Sequence, residues 1–222
     1  MGQAQFDTVF FDFDGTLMDT NELIFKSWRH TIKTYDNRYM STEEIMDTFG
    51  EPMDVTMRSR YPHLPIEEAI DTYREFQNTM YEELIEMFPG MYELIHTLKD
   101  RGYKIAMVTN RLRNTTLIGL DKFSVTGLFD VIVTADDVPR AKPDPMLLLL
   151  AMERIGSKPE STIMIGDTLH DIHAAKAAGV STVLVDWSIA IPPAKRQNLT
   201  AKEKPDVVVY DAMDILRYIE KR

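Results

Sequence analysis

The sequence predicts an α/β protein: a doubly wound parallel sheet interrupted by an all-helical insertion. Three observations carry that expectation. From Met91 onward, short apolar runs alternate with amphipathic helical patterns. Residues 20–87 hold helical patterns and no convincing strand. Acidic residues also stand at the ends of apolar runs, where an open parallel sheet collects its ligands.

The first run, "TVFFDFD" (8–14), reads as a buried strand that ends in Asp12, Phe13 and Asp14, with Gly15 and Thr16 next. "NELIFKSWRHTIKTY" (21–35) is helical in pattern, and Ser41 with Glu44 makes a capping box for the helix that follows. Gly50–Glu51–Pro52 breaks two helices. The stretch 65–87 carries Ile66, Ile70, Tyr73, Phe76, Met80 and Leu84 at spacings of three and four, an apolar stripe between acidic faces. The helix "MYELIHTLKDR" (91–101) stops at Gly102, and "YKIAMVT" (103–109) follows as a strand. "VIVT" (131–134) is another strand, "PMLLLLAMERI" (145–155) a helix ending near Gly156, and "STIMIGD" (161–167) a strand. "DIHAAKAAG" (171–179) is a helix ending at Gly179, and "STVLVD" (181–186) a strand. Residues 188–204, with Pro192–Pro193 and several lysines, read as an exposed loop. "PDVVVYD" (205–211) is the last strand before a terminal helix. About six strands result. The organisation expected is a core from 1–17 and 88–222 with a helical domain at 18–87.

Composition narrows the function. With 222 residues, a hydrophobic fraction of 44% and a charged fraction of 27%, the chain is an ordinary globule. A net charge of −10 disfavours a nucleic-acid binder, which needs a basic face. The longest strongly apolar stretch, Met146–Met152, is too short to cross a bilayer, so no membrane partner is expected. No cysteine is present, which excludes disulfides and thiolate metal sites. "MGQAQFD" has neither a basic n-region nor a long apolar h-region, and a cytoplasmic location is expected.

The chemistry gathers at the strand ends. Asp12 and Asp14 close the first strand, Thr109–Asn110 the "IAMVT" strand, and Asp167 the "IMIG" strand, with Asp171 one helical turn later. Lys142, in "RAKPDP", follows the VIVT strand. Taken singly, each has a bland explanation: an Asx turn, a helix cap, a solvated lysine. Taken together, carboxylates crowded on one edge repel and lose solvation, and so imply a bound cation or a shared proton. Hard oxygen ligands suit Mg²⁺.

In order along the chain, Asp12–Phe13–Asp14–Gly15–Thr16, Thr109–Asn110, Lys142–Pro143 and Gly166–Asp167–Thr168–Leu169–His170–Asp171 resemble the four motifs of the haloacid dehalogenase superfamily. The resemblance spans the whole chain. It implies a Rossmann-like core with a helical cap inserted after the first motif, and Mg²⁺-dependent hydrolysis through an aspartyl-phosphate. On this likeness Asp12 is the nucleophile, and Asp14 is the general acid and base with its backbone carbonyl on the metal. Thr109 and the Asn110 amide hold phosphoryl oxygens, and Lys142 neutralises charge. Asp167 completes the metal shell, with Asp171 binding directly or through water. Side chains alternate along a strand, so Asp12 and Asp14 share a face. The superfamily's true dehalogenases lack an acid at the second position, so Asp14 points to phosphoryl transfer to water.

Within the superfamily the chain is similar to the phosphoglycolate-phosphatase-like branch. "DTNELI", "TYREFQ" and "VTADDV…KPDP" also resemble a Bacillus-type pyrophosphatase subfamily. Inorganic pyrophosphate is therefore the expected substrate, with phosphoglycolate or another small phosphomonoester as the alternative. An anionic leaving group needs donors, for which Arg111, Arg113 and His170 are candidates. The alternatives weighed are a Schiff-base role for Lys26 or Lys33, which nothing else supports, and a catalytically idle regulator, which would have lost one of the motif residues.

Overall fold

The computed structural model describes residues 6–220. The reading of the extreme N-terminus rests largely on residues 1–5, which lie outside the described residues. Among the described residues, six strands form one sheet: β1 (Thr8–Phe11), β4 (Lys104–Val108), β5 (Val131–Val133), β6 (Thr162–Gly166), β7 (Ser181–Val185) and β8 (Val207–Val209). Their order is β5-β4-β1-β6-β7-β8, and every pairing is parallel. β1 is central, so both of its faces are covered. Val9 and Phe11 enter one apolar cluster, built with α5 (Met91–Asp100) and α10 (Ala212–Glu220). Phe10 enters the other, with α7 (Met146–Ile155) and α8 (Leu169–Ala177). All three side chains are fully buried, each contributing roughly 1.5–3 kcal/mol of burial energy. The doubly wound α/β expectation is met.

Between β1 and the rest of the sheet lies the helical insertion: α1 (Asn21–Asp36), α2 (Thr42–Met46), α3 (Met53–Arg60) and α4 (Ile66–Leu84). It has its own apolar centre, where Trp28 packs on Tyr61 and Tyr73 with ring centroids 5.8 and 5.4 Å away. The capping box of α2 forms as expected, with Ser41 Oγ accepting from the Glu44 N–H.

Four features depart from the sequence expectations. β2 (Met18–Asp19) pairs antiparallel with β3 (Glu86–Met87), a two-residue ribbon where the chain leaves and re-enters the sheet domain. The buried line of α4 runs through Ala69, Ile70, Tyr73, Gln77 and Tyr81, so in its second half it is shifted by one residue from Phe76, Met80 and Leu84. Those three are only partly buried, Met80 and Leu84 against Leu23, Tyr81 and Ile85. Tyr81 is drawn inward because its hydroxyl donates to the Thr115 carbonyl across to the core, at 2.5 Å. A further helix, α6 (Arg113–Lys122), follows β4. Residues 188–204 are not wholly exposed either. Ser188 and Ile191 are buried, and Pro193–Arg196 forms the short α9.

Candidate active site

The carboxyl ends of β1, β4 and β6 meet beneath the helical insertion, around a cavity of about 360 Å³. Asp12, Asp14, Thr109, Asn110, Arg111, Lys142 and Asp167 all line it, so the structure brings nearly every residue singled out from the sequence to one place. Parallel strands dictate this. Each leaves the sheet at the same edge, where backbone groups are free of ladder hydrogen bonds.

Lys142 is the hub. It is almost completely buried, with Nζ 2.9 Å from Asp12 Oδ1, 2.6 Å from Asp171 Oδ1 and 3.0 Å from the Val108 carbonyl. Burial alone would lower its pKa. The two carboxylates outweigh that and raise it, so the ammonium is fixed. Asp171 is the carboxylate that profits most. Burial opposes its charge, but Lys142 and the Thr168 N–H and hydroxyl hold its pKa below the usual value. Its Oδ2 accepts the Thr168 N–H, one half of the capping box of α8, and the Thr168 hydroxyl as well. Both oxygens of Asp171 are thus engaged by the protein.

Asp12 and Asp167 are in the opposite condition. Burial, with Asp171 and Asp14 nearby, pushes Asp12 up to about 7 despite Lys142. Burial and the neighbouring Asp171 and Asp12 raise Asp167 well above the carboxylate range. Asp167 Oδ2 accepts the Ser188 hydroxyl at 2.5 Å, whereas Oδ1 is buried without a hydrogen-bond partner. Oxygens of Asp12, Asp167 and Asp171 lie within 4.8 Å of one another. Three carboxylates against one ammonium, with a sealed, unpartnered oxygen among them, fit a divalent cation with a preference for oxygen ligands. The Asp14 carboxylate stands outside this cluster.

Asp14 is about 29% exposed, and its Oδ1 accepts both from Thr20 Oγ at 2.7 Å and from Arg111 Nη1 at 2.9 Å. With both donors on Oδ1, Oδ2 is left for a reacting group. Arg111 is almost fully buried, with its guanidinium over the rings of Tyr81 and Phe13 at 4.8 and 5.5 Å. Burial opposes its charge, but Asp14 together with Tyr81 and Tyr73 outweighs that and raises its pKa. Nε and Nη2 of Arg111 lack hydrogen-bond partners.

Gly15 makes the close approach possible. Its φ is +71°, and a Cβ there would lie 2.0 Å from Asp167 Oδ2. The Asn110 side chain is engaged within the protein. Its amide nitrogen donates to the carbonyls of Gly50 and Lys142, both at 2.8 Å, and its Oδ1 accepts the Lys142 N–H. It therefore ties the β4 end to the Lys142 loop and to the insertion.

The remaining candidates separate. Arg113 pairs with Asp137 at 2.5 Å and does not line the cavity. His170 is packed against Gly50, where an added Cβ would come within 2.8 Å of its Nδ1, and burial lowers its pKa. Lys26 pairs with Glu22 at 3.3 Å, Lys33 is exposed, and neither lines the cavity. Sequence reasoning missed Ser188 and Thr20, each holding a site carboxylate. Thr20 lies within the quoted "DTNELI" and signalled only an ordinary helix start. Ser188 carried no signal.

A parallel sheet whose strand ends carry this carboxylate–lysine constellation defines a hydrolase of the phosphatase kind. Residues 9–185 match the family model for haloacid dehalogenase-like hydrolases, and the chain belongs to that family. It is 38% identical over 212 residues to Pyrophosphatase PpaX of Halalkalibacterium halodurans, covering 96% of each chain. It is 36% identical over 219 residues to Pyrophosphatase PpaX of Bacillus pumilus, covering 99% of each. Among solved structures, a predicted phosphoglycolate phosphatase from Haemophilus somnus superposes with a TM-score of 0.81 at 25% identity, over 98% of this chain and 99% of that one. A haloacid dehalogenase-like family hydrolase from Streptococcus pneumoniae, 23% identical, shares the fold with a TM-score of 0.83, over 96% of this chain and 98% of that one. No helix among the described residues is long and apolar enough to cross a membrane.

Proposed function

We propose that the chain is a Mg²⁺-dependent phosphohydrolase of the cytoplasm that works through an aspartyl-phosphate and takes inorganic pyrophosphate as its preferred substrate. The observation that carries the reaction is the pairing of Asp12 and Asp14 on one strand end, with Lys142 on the first and an oxygen of the second left free. An Asp12 oxygen attacks phosphorus while the bond from phosphorus to the leaving oxygen breaks. Asp14 gives its proton to that oxygen, then takes one from the water that releases phosphate and regenerates Asp12. Lys142 and Thr109 stabilise the charge on the phosphoryl oxygens. A magnesium ion held by Asp12, Asp167 and the Asp14 carbonyl, with Asp171 alongside, would neutralise the phosphoryl group. Residues 18–87 act as the cap over this centre.

Pyrophosphate is supported by the full-length likeness to the two pyrophosphatases and by Arg111, whose unpartnered guanidinium nitrogens adjoin the proton donor. A panel of pyrophosphate, phosphoglycolate, nucleoside monophosphates and sugar phosphates, ranked by kcat/KM with Mg²⁺, tests the substrate. Phosphoglycolate at the top would overturn the substrate and leave the chemistry standing. Asp12→Asn tests the chemistry: turnover should vanish with the fold intact, and wild-type-like rates would refute the nucleophile.

A further inference from the structure

A carboxylate can give a cation one oxygen or both, depending on what already holds each of them. In the Asp12–Asp167–Asp171 cluster every carboxylate has at least one oxygen taken. Asp12 Oδ1 is ion-paired with Lys142 at 2.9 Å. Asp171 has both engaged, Oδ1 by Lys142 at 2.6 Å and Oδ2 by the Thr168 N–H and hydroxyl. Asp167 Oδ2 accepts the Ser188 hydroxyl at 2.5 Å, while its buried Oδ1 has no hydrogen-bond partner. Without breaking a contact, then, the cluster has two oxygens to give: one from Asp12 and one from Asp167. Such a set suits Mg²⁺, which binds through a carboxylate or a pair of them and keeps several waters in a strict octahedron. Ca²⁺ takes about six to eight oxygens and readily uses both oxygens of a carboxylate.

Among the groups that hold these oxygens, Lys142 balances charge and Thr168 caps α8, whereas Ser188 does neither. Ser188 is buried, and its Oγ accepts the Ala190 N–H at 3.2 Å, which leaves its single proton for Asp167. The neighbouring Trp187 fastens this loop to the turn after β1, its Nε1 donating to the Thr16 carbonyl at 3.2 Å. We propose that Ser188 sets the ion selectivity of the site: by occupying Oδ2 it confines Asp167 to ligation through one oxygen and so favours Mg²⁺ over Ca²⁺. This rests on the divalent-cation reading of the cluster, and on neither the nucleophile nor the substrate.

Thermal melts of the substrate-free protein, titrated with Mg²⁺ or with Ca²⁺, yield a Kd for each, since an ion that binds the folded state raises Tm as its concentration rises. The wild type should prefer Mg²⁺. Loss of a partner that orients a metal ligand typically costs about 10–100-fold in affinity, so Ser188→Ala should weaken Mg²⁺ by about tenfold or more. Ca²⁺, given the freed oxygen, should bind as well as before or better. The ratio of the Ca²⁺ Kd to the Mg²⁺ Kd should therefore fall by about tenfold or more, while Ser188→Thr, which keeps the hydroxyl, should keep the wild-type ratio. A purely structural role for Ser188 would weaken both ions alike, so an unchanged ratio in Ser188→Ala refutes the proposal. A fall as large in Ser188→Thr as in Ser188→Ala would assign the effect to packing and refute it too. A wild type that binds neither ion removes the cation reading and this inference with it. A wild type that prefers Mg²⁺, with the ratio unmoved in Ser188→Ala, removes this inference alone.

Discussion

Replacing Gly15 by alanine isolates the requirement that the first strand's turn pass close to Asp167. The added Cβ would lie 2.0 Å from Asp167 Oδ2, 2.7 Å from its Cγ and 3.0 Å from Ser188 Oγ. Ordinary contact begins near 3.4 Å, so the carboxylate would have to retreat by about 1.4 Å, the difference between 3.4 and 2.0. Ser188, hydrogen-bonded to that same oxygen, obstructs the retreat. Misplacing a reacting or charge-holding group by about 1 Å costs on the order of 10²-fold in rate. The positive φ adds a backbone cost of about 1–2 kcal/mol, or roughly 2–8 °C in Tm for a chain of this size. Gly102→Ala is the matched control. Its φ is +81°, and nothing lies within 4 Å of the added Cβ. Both variants should therefore lose the stability that the positive φ costs in a thermal melt, Gly15→Ala more because of the added clash, but only Gly15→Ala should lose about two decades in kcat and need more Mg²⁺ for half-maximal rate. Wild-type kcat and Mg²⁺ titration in Gly15→Ala would refute the reasoning, as would an equal rate loss in Gly102→Ala.

Three further expectations bear on the site. Asp14→Asn keeps an acceptor for Thr20 and Arg111 but loses the proton, so poor leaving groups should slow by about 10²–10⁴-fold and p-nitrophenyl phosphate far less. Equal losses on both substrates would make Asp14 structural. Arg111→Ala should cost pyrophosphate about one to two decades in kcat/KM and p-nitrophenyl phosphate much less, and parallel losses would mean that Arg111 acts only by holding Asp14 and packing on Tyr81 and Phe13, without touching the leaving group. In the metal-free protein Asp12 is raised to about 7 from an ordinary value of 3.8, so between those limits the folded state binds more protons than the unfolded one. Its contribution is fully present below 3.8 and lost as pH rises through 7. Melts in chelator should accordingly show stability falling across that window, with Mg²⁺ restoring it near neutrality, and a flat profile in chelator would argue against the buried, uncompensated carboxylates.

What the sequence revealed and what it hid divide by distance along the chain. Asp12, Asp14, Thr109, Lys142 and Asp167 were legible because each stands at a strand end or in the loop that follows one, and parallel topology then dictates that they meet. Ser188 was not, since its only distinction is a bond to a carboxylate 21 residues earlier. The β2–β3 ribbon was hidden because two residues carry no period. Helix α6 was hidden by "RNTTLIGLDK", whose Asn, Thr and Gly are weak helix formers. The structure gives the reason for one of them: a Cβ on Gly119 would stand 2.5 Å from the Phe13 ring and 2.7 Å from the Tyr81 hydroxyl. That glycine serves the contact between the sheet edge, α6 and α4, at the expense of local propensity.

The same logic explains why a lysine, and not an arginine, stands at position 142. Its ammonium reaches three elements at once: the β4 end through the Val108 carbonyl, the β1 end through Asp12, and the first turn of α8 through Asp171. Two hydrogen-bond acceptors, the Val108 carbonyl and Asp171, together with the ion-paired Asp12, suit the compact charge of an ammonium, whereas a planar guanidinium presents its donors in a fork suited to a single carboxylate. Asp171 is held in turn by Thr168 at the start of α8, so the helix cap sets where the second negative charge sits. Asn110 fixes the backbone of Lys142 to the β4 end and reaches the Gly50 carbonyl in the insertion. Position and charge at the site are therefore one network. The bonds that place the ammonium beside Asp12 also connect the core to the helices above it, and whatever loosens the Asn110–Gly50 bond acts on the same loop that carries the positive charge.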